Sequence, residues 1–204
     1  MSNINTNMPK IIAICGAKRS GKDVLAEHLV AKYNYTRLAF AEPLKIAVKG
    51  LFNFDDDQVG IGKDSGTDRK DIIDERWGIT PRAALQFFGT EMMQEKIQGL
   101  LPGMKRNFFA NTLANQINSA EEDTRFVISD LRFIHEYERL LNISKISIRD
   151  ILIVRVIRPC KDRTKEPEPH ISELEYTKIP YDIIMINNGS IEDYIHRFEQ
   201  IISI

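Results

Sequence analysis

Apolar residues follow two rhythms along the chain. Short continuous runs at Lys10–Cys15, Phe126–Ser129, Leu152–Ile157 and Asp182–Ile186 have the make-up of parallel strands buried on both faces. Thr36–Phe40 adds a further strand. Between the runs lie stretches suited to helices. Asp23–Tyr33 contains no Gly or Pro and keeps Leu25 and Leu29 four apart. A second helix begins at Pro43, and Thr80 with Pro81 forms an N-cap and first-turn pair for a helix to about Gly99. Pro102-Gly103 interrupts, a helix follows near Asn107–Ser119, and Ser190 with Asp193 approximates a capping box for the last one. Strand alternating with helix is the doubly wound α/β pattern. Asp55–Asp74 is polar and glycine-containing and reads as a mobile surface excursion. Ser144–Arg149 alternates like a strand but has no place in this scheme.

Bulk properties narrow the picture only slightly. A chain of 204 residues with net charge −1 suits one α/β domain over residues 10–204 and makes no electrostatic case for binding a nucleic acid polymer or a membrane. Residues 1–9, with four Asn or Thr, read as a disordered tail without the apolar core of a signal peptide. Two cysteines, Cys15 and Cys160, make no disulfide framework, so a reducing cytoplasmic compartment is expected.

Chemistry enters at residues 16–23, Gly-Ala-Lys-Arg-Ser-Gly-Lys-Asp, between the first strand and the first helix. This is a phosphate-binding loop of Walker A type whose final hydroxyl is replaced by Asp23, with Val24 unable to substitute. Strand, glycine loop and helix N-terminus together aim N–H groups at a phosphate, and Lys22 reaches the β- and γ-phosphates of a nucleoside triphosphate. Asp130 ends an apolar strand with Arg132 two residues on. A carboxylate there orients Mg²⁺ or caps the next helix, and the two roles are compatible. Arg82 and Gln86, four apart, share a helical face that presents a cation and an amide either to a ligand or to solvent. Trp77 stacks on a base or packs as a hinge. The proline-rich, charged segment 158–175, with Arg163 and His170, is a lid or an exposed connection.

Together these segments resemble the deoxynucleoside monophosphate kinases of large DNA bacteriophages and related viruses. The landmarks are the loop itself, Phe40-Ala-Glu-Pro-Leu-Lys45, Thr80-Pro-Arg-Ala-Ala-Leu-Gln-Phe-Phe-Gly-Thr-Glu91, Val127-Ile-Ser-Asp-Leu-Arg-Phe133, His170-Ile-Ser-Glu173 and the turn at Asn187–Asp193. Asp after the loop lysine is the rule in that family. The resemblance implies a nucleoside monophosphate kinase fold, a five-stranded parallel sheet flanked by helices on both faces, with an acceptor-binding region over about 41–120. It implies Mg²⁺-assisted transfer of the γ-phosphoryl group of ATP to a deoxynucleoside 5′-monophosphate, in the host cytoplasm if the source is viral, and it is compatible with a homodimer. Many relatives carry Ser or Thr after the loop Asp, and Pro-Asn-Glu where this chain has Ile134-His135-Glu136.

Laid over the motif geometry, the resemblance also implies roles. Gly16, Arg19, Ser20, Gly21, Lys22 and Asp23 hold ATP, with Arg19 and Lys22 stabilising the transferring group. Asp23 and Asp130 hold Mg²⁺, and Ser20 is the one hydroxyl left in the loop. Lys18, Lys45, Arg82 and Arg132 face the acceptor phosphate, Gln86 and Trp77 its base, while Arg158 and Asn187–Asn188 flank adenine. Two other readings share part of this evidence. Animal-type phosphomevalonate kinase shares the Gly-Lys-Asp loop ending, a Pro-Leu-Lys segment and a Ser-Asp-x-Arg strand end, but not the 80–91 signature. A non-catalytic ATP sensor would need fewer of the charged groups.

Overall fold

The computed structural model describes residues 8–61, 69–159 and 174–202. Most of the expected tail, Cys160, Arg163 and His170 lie outside the described residues. In chain order the elements are β1 (Ile11–Gly16), α1 (Lys22–Tyr33), β2 (Thr36–Leu38), α2 (Glu42–Phe52), α3 (Asp56–Val59), α4 (Pro81–Gln86), α5 (Phe108–Ser119), β3 (Phe126–Leu131), α6 (Ile134–Leu141), β4 (Ile151–Ile157), β5 (Ile183–Ile186) and α7 (Ile191–Ile202). They form two compact units: residues 1–39 with 113–204, and residues 40–112.

The first unit holds one sheet of five strands in the order β2-β3-β1-β4-β5, parallel at every pairing. Central β1 is buried at all six residues, which is why its sequence never alternates. Ile12 and Ile14 pack in a core with Leu25, Ala26 and Leu29 of α1 and Tyr194, Phe198 and Ile202 of α7. Ile11, Ala13 and Cys15, in the opposite phase, are buried just as fully, so the other face is covered too. Burial pushes the Cys15 thiol up, which keeps it protonated and unreactive beneath the loop. Ala13 lies opposite Ile128 but Cys15 lies opposite Leu131. β3 therefore accommodates one extra residue at Ser129–Asp130, a bulge of the kind that re-aims side chains beside active sites.

The second unit is built on its own small core of Val48, Phe54, Val59 and Ala84, joined by Leu44, Phe52 and Phe88. Here the expected excursion is corrected in part. Asp55 caps α3: its carboxylate accepts from the Gln58 N–H at 2.8 Å, and the Gln58 side chain accepts from the Asp55 N–H at 3.0 Å. Buried Asp74 accepts from Gln58 at 2.8 Å and from Arg76 at 2.7 and 3.0 Å, and these donors hold its carboxyl well below the usual carboxylate range. Residues 62–68 of the segment lie outside the described residues; at Asp55, Gln58 and Asp74 the polarity marks specific pairing.

Other boundaries shift by a few residues. Thr80 does cap α4, accepting from the Ala83 N–H at 3.1 Å. The helix does not continue unchanged to Gly99: it widens to a π-helix over Phe87–Glu95 and tightens to a 3₁₀ turn over Lys96–Gly99. Within it Gly89 lets the chain approach α2 closely, since a Cβ there would sit 2.8 Å from Leu44. The second strand ends at Leu38, while β3 extends past Ser129 to Leu131. Ser144–Arg149 forms turns leading into a 3₁₀ turn at Ile148–Asp150. No helix among the described residues is long and apolar enough to cross a membrane.

Candidate active site

The phosphate loop is shaped by backbone conformations that side chains resist. Gly16 has φ 151°, Arg19 φ 62° and Gly21 φ 104°. Gly21 is the N-cap of α1 and no side chain caps that end, so the first-turn N–H groups and the positive end of the helix dipole stay available to an anion. Lys22, buried, folds back to donate to the Gly16 and Ala17 carbonyls at 2.9 and 2.8 Å. Lys18 and Arg19 are exposed on the loop. Asn187 braces it from the end of β5, its Nδ2 donating to the Ser20 carbonyl at 2.9 Å. A Cβ at Gly21 would lie 2.4 Å from that same nitrogen. Val24, which has no hydroxyl, packs against the core that includes α1 and α7.

Beside the loop, Asp23 pairs with Arg37 of β2. The same guanidinium donates to the buried Ser129 hydroxyl at 2.9 Å, one residue before Asp130. Arg132 follows β3, and its backbone N–H is held at 2.9 Å by Glu136, which also accepts from the Phe133 N–H at 3.0 Å. Glu136 thus caps the start of α6.

Burial, and next the charge of Asp130, pushes the Glu136 carboxyl up to about 8, against the opposing backbone N–H donors. Its folded value lies above the ordinary 4.5, so the folded protein binds this proton more tightly than the unfolded chain. In protein without nucleotide or metal, stability should therefore fall as pH rises from about 4.5 to about 8, with the loss complete above that. Glu136→Gln keeps an acceptor for both N–H groups and should flatten this decline. Urea titrations at several pH values check it, and parallel profiles for the two proteins would refute it.

The remaining sequence-derived residues separate between the units. Arg158 is exposed just past β4, and Asn188 accepts from Arg197 of α7 at 3.1 Å. In the second unit, Lys45 of α2 donates to the Gly60 carbonyl at 2.8 Å. Arg82 is gripped in a fork by Asp71, with Nη2 to Oδ2 at 3.0 Å, a geometry that equally suits phosphate. Gln86 is exposed at the end of α4. The half-exposed Trp77 donates to the Phe52 carbonyl at 2.8 Å and meets the Phe52 ring edge-on.

A hard cation fits the first unit's donors. Asp23, Asp130 and Ser20 offer only oxygen, and the buried Ser20 hydroxyl has no hydrogen-bond partner among the described residues. Such an atom is satisfied by a phosphate oxygen or a phosphate-bound Mg²⁺, which takes few protein ligands and keeps its waters. Sequence reasoning missed Arg37, Glu136, Asp71 and Arg197. Only Glu136 left a local signal, as an acidic residue in the first turn of a helix.

Comparison with known proteins gives consistent results. A family model described as deoxynucleotide monophosphate kinase matches residues 62–198. A protein of Acanthamoeba polyphaga mimivirus, provisionally named deoxynucleotide monophosphate kinase, is 31% identical over 199 residues, covering 95% of this chain and 94% of its own. The deoxynucleotide monophosphate kinase of Enterobacteria phage T4 is 20% identical over 96% of this chain and 99% of its own. Among solved structures, dephospho-CoA kinase from Campylobacter jejuni shares the fold, with TM-score 0.50 and 13% identity over 96% of both chains.

Proposed function

The chain belongs to the deoxynucleotide monophosphate kinase family, and from that premise we propose that it transfers the γ-phosphoryl group of ATP to a deoxynucleoside 5′-monophosphate by in-line displacement. The observation that carries the ATP half is buried Lys22 held against the loop carbonyls beside an uncapped helix N-terminus. The attacking oxygen belongs to the acceptor phosphate, so no covalent intermediate on the protein is needed. The protein's task is positioning and charge stabilisation.

In this reading Gly16–Asp23 cradle the triphosphate, and Lys22 exchanges its two carbonyl partners for β- and γ-phosphate oxygens. Arg19 offsets charge on the transferring group. Lys18 and Arg132 serve the acceptor phosphate, and the family resemblance assigns Lys45 and Arg82 to it as well. Arg82 then exchanges the carboxylate of Asp71 for phosphate oxygens in the same fork geometry. Gln86 and Trp77 read the acceptor base, and Arg158 and Asn188 flank adenine. Asp23 and Asp130 would hold Mg²⁺, with Ser20 close by in the loop. The ion supplies neutralisation of the phosphate charge when bound.

A coupled assay of ADP release tests this directly, with Mg-ATP and a panel of dGMP, dTMP, dCMP, dAMP, their ribose forms and phosphomevalonate. Turnover is expected with at least one deoxynucleotide. Turnover with phosphomevalonate alone, or ATP binding without ADP release from any acceptor, would overturn the proposal.

A further inference from the structure

We infer that Arg37 is a positioning residue for Asp23, fixing the direction of the carboxylate that stands where a loop hydroxyl is usual. The inference rests on the reading of Asp23 as a metal-holding group. Its ground is one guanidinium with two partners on two different elements: Asp23 in the first turn of α1, and the Ser129 hydroxyl on β3 at 2.9 Å. Ser129 is 3% exposed and occupies the bulge, next to Asp130. Arg37 is itself carried by β2, hydrogen-bonded to β3 with Arg37 opposite Val127. Loop helix, bulge and edge strand are tied at one point.

Stability does not account for this pairing. The Arg37 and Asp23 side chains are 40% and 64% exposed, and ion pairs so open to solvent contribute about 1 kcal/mol or less. Geometry gives the pair another consequence. A serine or threonine after the loop lysine places its oxygen by χ1 alone, whereas an aspartate swings its two oxygens about a further bond. Val24 adds no second donor, because it is committed to the core. With Oδ1 engaged by Arg37, the carboxylate has one preferred orientation relative to β3. Both bonds leave one nitrogen, Nη2, whose two N–H groups are fixed in the guanidinium plane, whereas a lysine ammonium on its flexible stem fixes neither direction.

The test is metal binding, read independently of turnover. Mn²⁺ affinity is measured by the electron paramagnetic resonance signal of free Mn²⁺ in the presence of ADP, and metal-free ADP affinity by calorimetry. For Arg37→Ala, Mn²⁺ binding should weaken by roughly 10- to 100-fold while metal-free ADP binding stays within about twofold. The Mg²⁺ midpoint of turnover should rise in parallel, with the acceptor KM unchanged. Arg37→Lys, the safer variant for folding, should recover only part of the loss. Unchanged or tighter Mn²⁺ binding in both variants overturns the inference. Asp23→Asn, measured alongside, separates the layers: if it alone shifts the metal midpoint, only Arg37's role fails. If neither residue shifts it, the metal-holding role of Asp23 fails with it.

Discussion

Lys22→Ala is expected to lower kcat/KM by roughly 10³-fold or more, about 4 kcal/mol of transition-state stabilisation. The size follows from where the ammonium sits. Lys22 is 5% exposed, at the first turn of α1, and its Nζ is held by two loop carbonyls. A charge already taken out of water has little solvation left to lose when phosphate oxygens replace those carbonyls. Its attraction to developing charge is correspondingly large in a medium of low dielectric. Alanine removes the charge and also leaves the Gly16 and Ala17 carbonyls without these donors, so some loss of thermal stability should accompany the kinetic effect. The two are separable: turnover is measured well below the melting transition, with circular dichroism confirming the fold. Activity within tenfold of the parent would end the proposed mechanism.

Gly16→Ala should be the most damaging small substitution to the fold, lowering stability by about 3 kcal/mol or more. At φ 151° an alanine is strained whatever surrounds it. Space is also lacking: the new Cβ would lie 2.4 Å from the Val156 carbonyl oxygen and 2.9 Å from the Ser20 hydroxyl. The first of these cannot swing aside, because it is backbone of β4 and Gly16 pairs with Val156 in the sheet. Relief requires either parting the two central strands or lifting the loop, and the second would also impair ATP binding. For a protein of this size the expected fall in Tm is roughly 6–12 °C, read by differential scanning calorimetry. Gly50→Ala is the internal control. Gly50 lies within α2, and a methyl added there would meet nothing within 4 Å, so the same exchange should be neutral or stabilising by up to about 1 kcal/mol.

What the sequence revealed, and what it concealed, follows from the range of the interactions involved. β1, the phosphate loop and α1 were readable because each depends on neighbours within about ten residues: an unbroken apolar run, fixed glycines, then a helical spacing. The same holds for Thr80 and its helix start. Arg37 was invisible because its partners, Asp23 and Ser129, are brought to it by strand order rather than by spacing. The bulge at Ser129–Asp130 is a property of two paired strands, and no single run of residues records it. The close approach of Gly89 to Leu44 is likewise a contact between separate helices. Asp55–Asp74 misled for a similar reason. Among its described residues Asp56, Asp71 and Asp74 pair with Lys49, Arg82 and Arg76 outside it, and composition alone does not show such partners.

Strand order also sets a timetable. β1 is flanked by β3 and β4, both of which follow the entire second unit in the chain, and among the described residues β2 pairs with β3 alone. As the protein emerges from a ribosome, β1, α1 and β2 appear before the second unit yet have no sheet to join. Residues 40–112, with a core of their own, are complete before any strand pair can close. The nascent chain therefore exposes Ile11–Ile14 until at least Phe126–Leu131 has been made, and β4 must follow before Val156 can meet Gly16. The segment that holds the phosphate loop in place is made before the second unit and enclosed only after it. It is the stretch on which a chaperone has longest to act.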